Sequence, residues 1–145
     1  MSAKYLIFYL IILQISLLPT INNSSYITMK VNKTGNISIF GQNFRPFPDE
    51  IFINGVKQSK IQYYFIFNLT GNIIKLIWHN KLTKCNNMFY KCSNITWIDL
   101  SNFVASNVSD MHGMFQDCSN LTFLNLSNFD TSKVTNMNGM FYGCI

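Results

Sequence analysis

Three pentapeptides of one pattern, MFYKC at 88–92, MFQDC at 114–118 and MFYGC at 140–144, recur at intervals of 26 residues. A reactive centre needs its nucleophile or ligand once, in one place. A regular recurrence is what a stack of structural units requires, because one small unit cannot bury its apolar face alone. The resemblance between units extends well beyond the tag. Ile95, Ile98, Leu100, Phe103, Val108, Met111, Met114, Phe115 and Cys118 reappear as Leu121, Leu124, Leu126, Phe129, Val134, Met137, Met140, Phe141 and Cys144. Every apolar position survives the shift, so Met88, Phe89 and Cys92, Met114, Phe115 and Cys118, and Met140, Phe141 and Cys144 are read as the repeating core.

Each unit shows two periodicities. Ile95-Thr-Trp-Ile-Asp-Leu100 and Leu121-Thr-Phe-Leu-Asn-Leu126 spell L-x-x-L-x-L, and the last three positions alternate as a short strand does. Val108, Met111, Met114, Phe115 and Cys118 then follow at steps of three, three, one and three, which predicts a helical or 3₁₀-like return. The expected fold is therefore α+β: a short leucine-rich-repeat-like solenoid over 81–145, with parallel strands and helical returns. A small β-rich region over 22–80 is expected to cap it.

Pattern C-S-x-L-T-x-L-x-L-S-N-F-D-T-S-K-V-x-x-M-x-x-M-F, carried by 118–141, resembles the BspA-like leucine-rich repeat surface proteins. It is most similar to the subgroup sharing a repeat first catalogued in mycoplasmas as of unassigned function, also abundant in some protists. The likeness covers 85–145, with KLIWHNKLTKCNNMF suggesting a degenerate first unit from about residue 73. It implies an exported, surface-displayed binding or adhesion protein without enzymatic activity. Only two complete units are present, and the first carries Val104-Ala105-Ser106-Asn107 in place of Asp-Thr-Ser-Lys. The array is expected to be truncated at its C-terminus, which leaves open the ectodomain of a longer receptor.

Residues 1–21, MSAKYLIFYLIILQISLLPTI, pair an early Lys4 with an apolar run from Tyr5 to Leu18. That is the layout of a secretory signal peptide, and the run is shorter than a membrane span of about 20 residues. Cleavage between Pro19 and Ser25 is the expectation, and an uncleaved signal anchor is the alternative. The expected location is secreted or cell-surface. A membrane is contacted only through that anchor or through a segment beyond residue 145. Asn-x-Ser/Thr sequons at Asn32, Asn36, Asn68, Asn94, Asn107, Asn120 and Asn125, with Asn22 and Asn23 ahead of them, are candidate glycan acceptors on an exported chain.

Between 22 and 80, the runs ITMKV, NISIF, EIFIN, IQYYFIF and NIIKLIW alternate apolar with polar residues and predict four or five strands. Asn54-Gly55 is a hairpin signal, since both turn residues must tolerate positive φ. No chemistry shows here: Trp78 reads as packing, and His79 has no carboxylate or second His at ligand or base spacing.

Only 12% of the chain is charged, against an apolar share of 48% and an aromatic share of 15%. Residues 22–84 hold eight Lys or Arg against Asp49 and Glu50, whereas 85–145 hold Lys91 and Lys133 against four Asp. These basic residues are scattered singly, which excludes the stripe of a nucleic-acid footprint. The four cysteines, at spacings of 7, 26 and 26, match no zinc module. Adjacent rungs could bridge geometrically, but buried thiols acting as small hydrophobes account for all three repeat copies at once. No catalytic residue, cofactor or metal is predicted.

The candidate binding face consists of the side chains lying between the apolar positions of the strands: Trp97, Asp99 and Ser101, then Phe123, Asn125 and Ser127. Trp97 is expected to stand beside Phe123, and Asp99 beside Asn125. Two readings stay open, a recognition surface for a protein or glycan at a cell surface, or cross-strand packing alone. Self-association through an open end of the repeat is the structural alternative. His112, aligned with Asn138, reads as a variable surface position.

Overall fold

The protein's structure, a computed structural model, describes residues 24–144. The expected signal segment and the sequons at Asn22 and Asn23 lie outside the described residues. The described residues form eight strands: β1 (Ser25–Val31), β2 (Gly35–Ser38), β3 (Glu50–Ile53), β4 (Val56–Lys57), β5 (Tyr64–Phe67), β6 (Asn72–Trp78), β7 (Ile95–Asp99) and β8 (Phe123–Asn125). Six of them form one sheet in the order β4-β3-β6-β1-β7-β8, and β2 pairs with β5 in a second, two-stranded sheet.

The central strand β1 runs antiparallel to both β6 and β7, while β7 and β8 are parallel. Its sequence SYITMKV alternates strictly, burying Ser25, Ile27, Met29 and Val31. Met29 lies between Ile74 on β6 and Ile98 on β7. Asn54 and Gly55, with φ of 51° and 81°, make the tight turn between β3 and β4. Ile95 and Ile98 are both fully buried although three residues apart, which a regular strand cannot arrange. The register shifts there: Val31 faces Ile95 and Lys30 faces Trp97, so Thr96 is the extra residue of a bulge.

The fold is not the expected α+β solenoid behind a cap. Among the described residues there is no helix, and the repeat strands extend a mixed sheet begun by the N-terminal region. The returns predicted as helical from Val108, Met111, Met114, Phe115 and Cys118 are chains of tight turns. Two causes are visible. Each unit places two residues in the left-handed region, Asn87 and Lys91, then Gly113 and Asp117, then Gly139 and Gly143, and each breaks a right-handed run. Alternate N–H groups along each return are also committed elsewhere. Those of Cys85, Asn87, Phe89 and Lys91 donate to the carbonyls of Asp110, His112, Met114 and Gln116 in the next unit. Those of Met111, Gly113, Phe115 and Asp117 donate in the same way to Asn136, Asn138, Met140 and Tyr142, all at 2.8 to 3.0 Å.

Successive units thus pair backbone to backbone, and their equivalent side chains fall into register. Phe89, Phe115 and Phe141 stack with centroids 5.6 and 5.5 Å apart. A single hydrophobic cluster runs from Ile27 and Phe40 through Trp78 and Met88 to Met140. Trp78 packs edge-on against Phe44 and Phe103 and donates its indole N–H to the Pro46 carbonyl. Among the described residues no helix is long and apolar enough to cross a membrane.

Candidate functional site

One face of the six-stranded sheet covers the core and the other does not. Cross-strand partners point to the same side, so the register defines the outer face directly. One row takes a residue from every strand: Lys57, Phe52, Lys75, Thr28, Asp99 and Asn125. A second row crosses β6, β1, β7 and β8 as Ile73, Lys30, Trp97 and Phe123. Ile73 and Phe123 are each about half exposed (47% and 48%), which makes this an uncovered aromatic and basic surface.

Trp97 and Phe123 stand side by side with ring centroids 5.6 Å apart and planes 8° apart. The Lys30 ammonium lies 4.8 Å from the Trp97 ring centroid. Lys30, Trp97 and Phe123 follow one another on successive strands, so both flat faces of Trp97 are occupied, one by a cation and one by a ring. Trp97 therefore offers its edge, and Lys30 its ammonium, to the outside, and the electropositive side of an aromatic is its edge. Across the sheet the Lys75 ammonium sits 3.7 Å from the Tyr26 ring centroid, and burial lowers its pKa.

The polar members of the first row are linked. Asp99 Oδ1 accepts the Ser101 N–H and the Asn125 side-chain amide, both at 2.9 Å. Asn125 Oδ1 accepts the Ser127 N–H in the same way. The structure brings Trp97, Asp99, Phe123 and Asn125 together on the face. Ser101 and Ser127 follow their strands, and Ser101 lies on a shallow cleft of about 410 Å³ with Phe103, Asn128 and Asp130. Phe123 and Ser127 are exposed, while Trp97, Asp99, Ser101 and Asn125 are half-buried.

The sequence reading missed Tyr26, Thr28, Lys30, Phe52, Ile73 and Lys75. Their signal was the polar positions of ITMKV and NIIKLIW, which announce an outward side. Nothing local announces that β1 lies against β7.

Of the sequons, Asn32, Asn36, Asn68, Asn107 and Asn120 are exposed and Asn94 and Asn125 half-buried. Two carry amide bonds that a glycan would disturb, Asn120 to the Ser93 carbonyl and Asn125 to Asp99.

His79 is not alone, as its sequence neighbourhood suggested. Its Nε2 is 3.2 Å from Glu50 Oε1, its Nδ1 is 3.3 Å from Ser24 Oγ, and its backbone N–H donates to Asp49 Oδ2. Glu50 is shared with Lys57 at 3.0 Å, and His79 and Lys57 are well exposed. The shared Glu50 carboxylate ties β3, β4 and the end of β6 together.

All four cysteines are free, and Cys85, Cys92 and Cys118 are buried. Cys118 and Cys144 donate their thiols to the carbonyls of Phe89 and Phe115, at 3.1 and 3.0 Å. Among the described residues no three His, Cys, Asp or Glu are grouped to hold a metal ion.

Fold and surface together define an all-β repeat protein with an uncovered sheet face. The profile of the family described as "Mycoplasma protein of unknown function, DUF285" matches residues 65–145, more than half of the chain, and the chain belongs to that family. No curated protein and no solved structure is significantly similar to it.

Proposed function

We propose that this is an exported, cell-surface, non-enzymatic protein of the BspA-like leucine-rich-repeat kind, which binds a protein or glycan ligand through the outer sheet face. The observation carrying this reading is the uncovered row that crosses all six strands beside the Lys30–Trp97–Phe123 stack. The repeat pattern of 118–141 and the apolar segment of 1–21 support surface display. Acceptor-rich ligands, such as acidic glycans or carboxylate-bearing peptide segments, suit its ammonium groups and ring edges. The test is adhesion of the purified protein to cells and to a glycan array, comparing wild type with the Trp97→Ala/Phe123→Ala double variant. Binding is expected to fall at least about tenfold, the weight of one or two hot-spot side chains. Binding unchanged in the double variant removes the face from the account. Fusing residues 1–21 to a reporter tests export separately.

A second reading, self-association, rests on a different observation. Leu126, Met137 and Phe141 are 40–48% exposed, whereas their equivalents Leu100, Met111 and Phe115 are fully buried. Covering that side with a second copy would bury the same positions. Sedimentation at increasing concentration tests it: a dimer supports the reading and a monomer throughout removes it.

A further inference from the structure

A second recess lies where the N-terminal region meets the repeat turns. Its walls are Gly41, Asn43, Asn87, Tyr90, His112 and Gln116, around a volume of about 260 Å³. It shares no residue with the sheet face. Glycine makes it possible twice. Gly41 donates its N–H to the Met88 carbonyl, and a Cβ at that position would lie 2.2 Å from the Asn87 carbonyl oxygen, so only glycine lets the two chains close on each other. Gly113, at φ +59°, lies beneath the side walls. A Cβ there would meet Asn87 Oδ1 at 2.6 Å and Gln116 Oε1 at 3.1 Å.

The polar walls are anchored through their main chains. Asn87 N–H donates to the His112 carbonyl, Gln116 N–H to Gly113, and His112 N–H to Asp110 Oδ1. Among the described residues the side chains of Asn43, Asn87, His112 and Gln116 make no hydrogen bond within the protein, and all four border one recess. Two repeat units and the N-terminal loop each contribute, so the convergence is a product of the fold.

We propose that this recess binds one neutral pyranose ring, either a free sugar or the terminal residue of a glycan. Three features select that chemistry. No Asp, Glu, Lys or Arg lines the recess, so it offers a charged ligand no carboxylate, ammonium or guanidinium partner. Asn43, Asn87 and Gln116 each present a donor and an acceptor on one rigid amide, the pairing that vicinal hydroxyls require. Tyr90 adds an aromatic ring; the Lys91 ammonium stands over one face, 5.0 Å from its centroid, and the C–H side of a sugar would take the other. The volume of about 260 Å³, about that of nine waters, is room for one ring.

The experiment titrates the purified chain with a panel of neutral methyl pyranosides by saturation-transfer NMR, with a glycan array in parallel. Affinity for one or more of the pyranosides is expected, about tenfold weaker in Gln116→Ala and in His112→Ala, with unchanged thermal melting. Asn43→Ala, at an exposed position, repeats the test where the change in stability is expected to be small. Array binding together with pyranoside binding assigns a glycan terminus, and pyranoside binding alone assigns a free sugar. Absence of binding to every pyranoside and glycan overturns the proposal, and so does sugar binding that all three variants retain. Adhesion by the sheet-face double variant reads the other site, so either proposal can fail alone.

Discussion

Phe115 stacks on Phe89 across one repeat interval, with ring centroids 5.6 Å apart and planes inclined by 12°. Phe141 takes the same place on the other side of Phe115, at 5.5 Å and 6°. The middle ring is fully buried and the last is about half exposed. Phe115→Ala is therefore expected to cost about 3–5 kcal/mol, a large part of the 5–15 kcal/mol available to a domain. Phe141→Ala should cost under about 2 kcal/mol, because much less area returns to water. Urea denaturation of both variants checks the order.

Gly41 and Gly35 separate two reasons for using glycine. Gly41 has no room for a methyl group, since it faces a backbone oxygen that cannot swing away. Gly41→Ala should destabilise by about 1–3 kcal/mol through overpacking and should loosen the junction between the two regions. Gly35 has open space around it and a φ of +99°, so Gly35→Ala meets only backbone strain and costs about 1 kcal/mol. Hydrogen exchange should report faster opening around Met88 and Asn87 in Gly41→Ala alone.

Burial pushes the Cys85 and Cys118 thiols up to about 12, reinforced by the Asp110 carboxylate at Cys85 and by the neighbouring Cys144 at Cys118. Burial likewise holds Cys92 well above its ordinary value. The native thiols are expected to resist iodoacetamide at about pH 8 and to react once the chain unfolds. These groups keep their protons in the folded state at pH values where the unfolded chain releases them. Their contribution to stability is thus complete below the ordinary thiol value of 9.0 and is lost as pH rises from there towards 12. Urea midpoints at about pH 8 and about pH 10.5 should fall in the wild type, and fall less in Cys118→Ala measured against its own value at the lower pH.

Asp99 accepts two hydrogen bonds on one oxygen, from Ser101 and from Asn125. The equivalent Asn125 shows that an amide oxygen serves the same turn. Asp99→Asn should change stability by less than about 0.5 kcal/mol, whereas Asp99→Ala strands two donors and should cost about 1–2 kcal/mol. Thermal melts of the two variants distinguish these outcomes.

Much of the core could be read from the chain, because Ile95, Leu100, Met111, Met114, Phe115 and Cys118 repeat at a fixed interval and each is buried. The hairpin at Asn54-Gly55 was legible for a local reason, the positive φ its turn demands. The returns were misread because a stack of turns and a helix share the three-residue step that Val108, Met111 and Met114 display. Gly113, Gly139 and Gly143 hinted at left-handed backbone, but Asn87, Lys91 and Asp117 adopt it without glycine. The widest gap concerns β1. Its alternation marks a strand, yet no residue of SYITMKV announces a partner some 70 residues later in the repeat. That pairing adds Lys30 and Thr28 to Trp97 and Asp99, and makes the candidate face six strands wide.

Because the outer face exists only if β1 and β7 are neighbours, a cross-link between them is the most direct test. Thr28 and Asp99 are antiparallel partners, and such partners hold their Cα atoms about 4.5–5.5 Å apart, within disulfide reach. Thr28→Cys/Asp99→Cys, oxidised mildly at neutral pH, should lose two hydrogens in intact mass and yield a peptide joining residues 28 and 99. Recovery of both introduced thiols unbridged in the folded protein would contradict the six-stranded sheet and the binding face built on it.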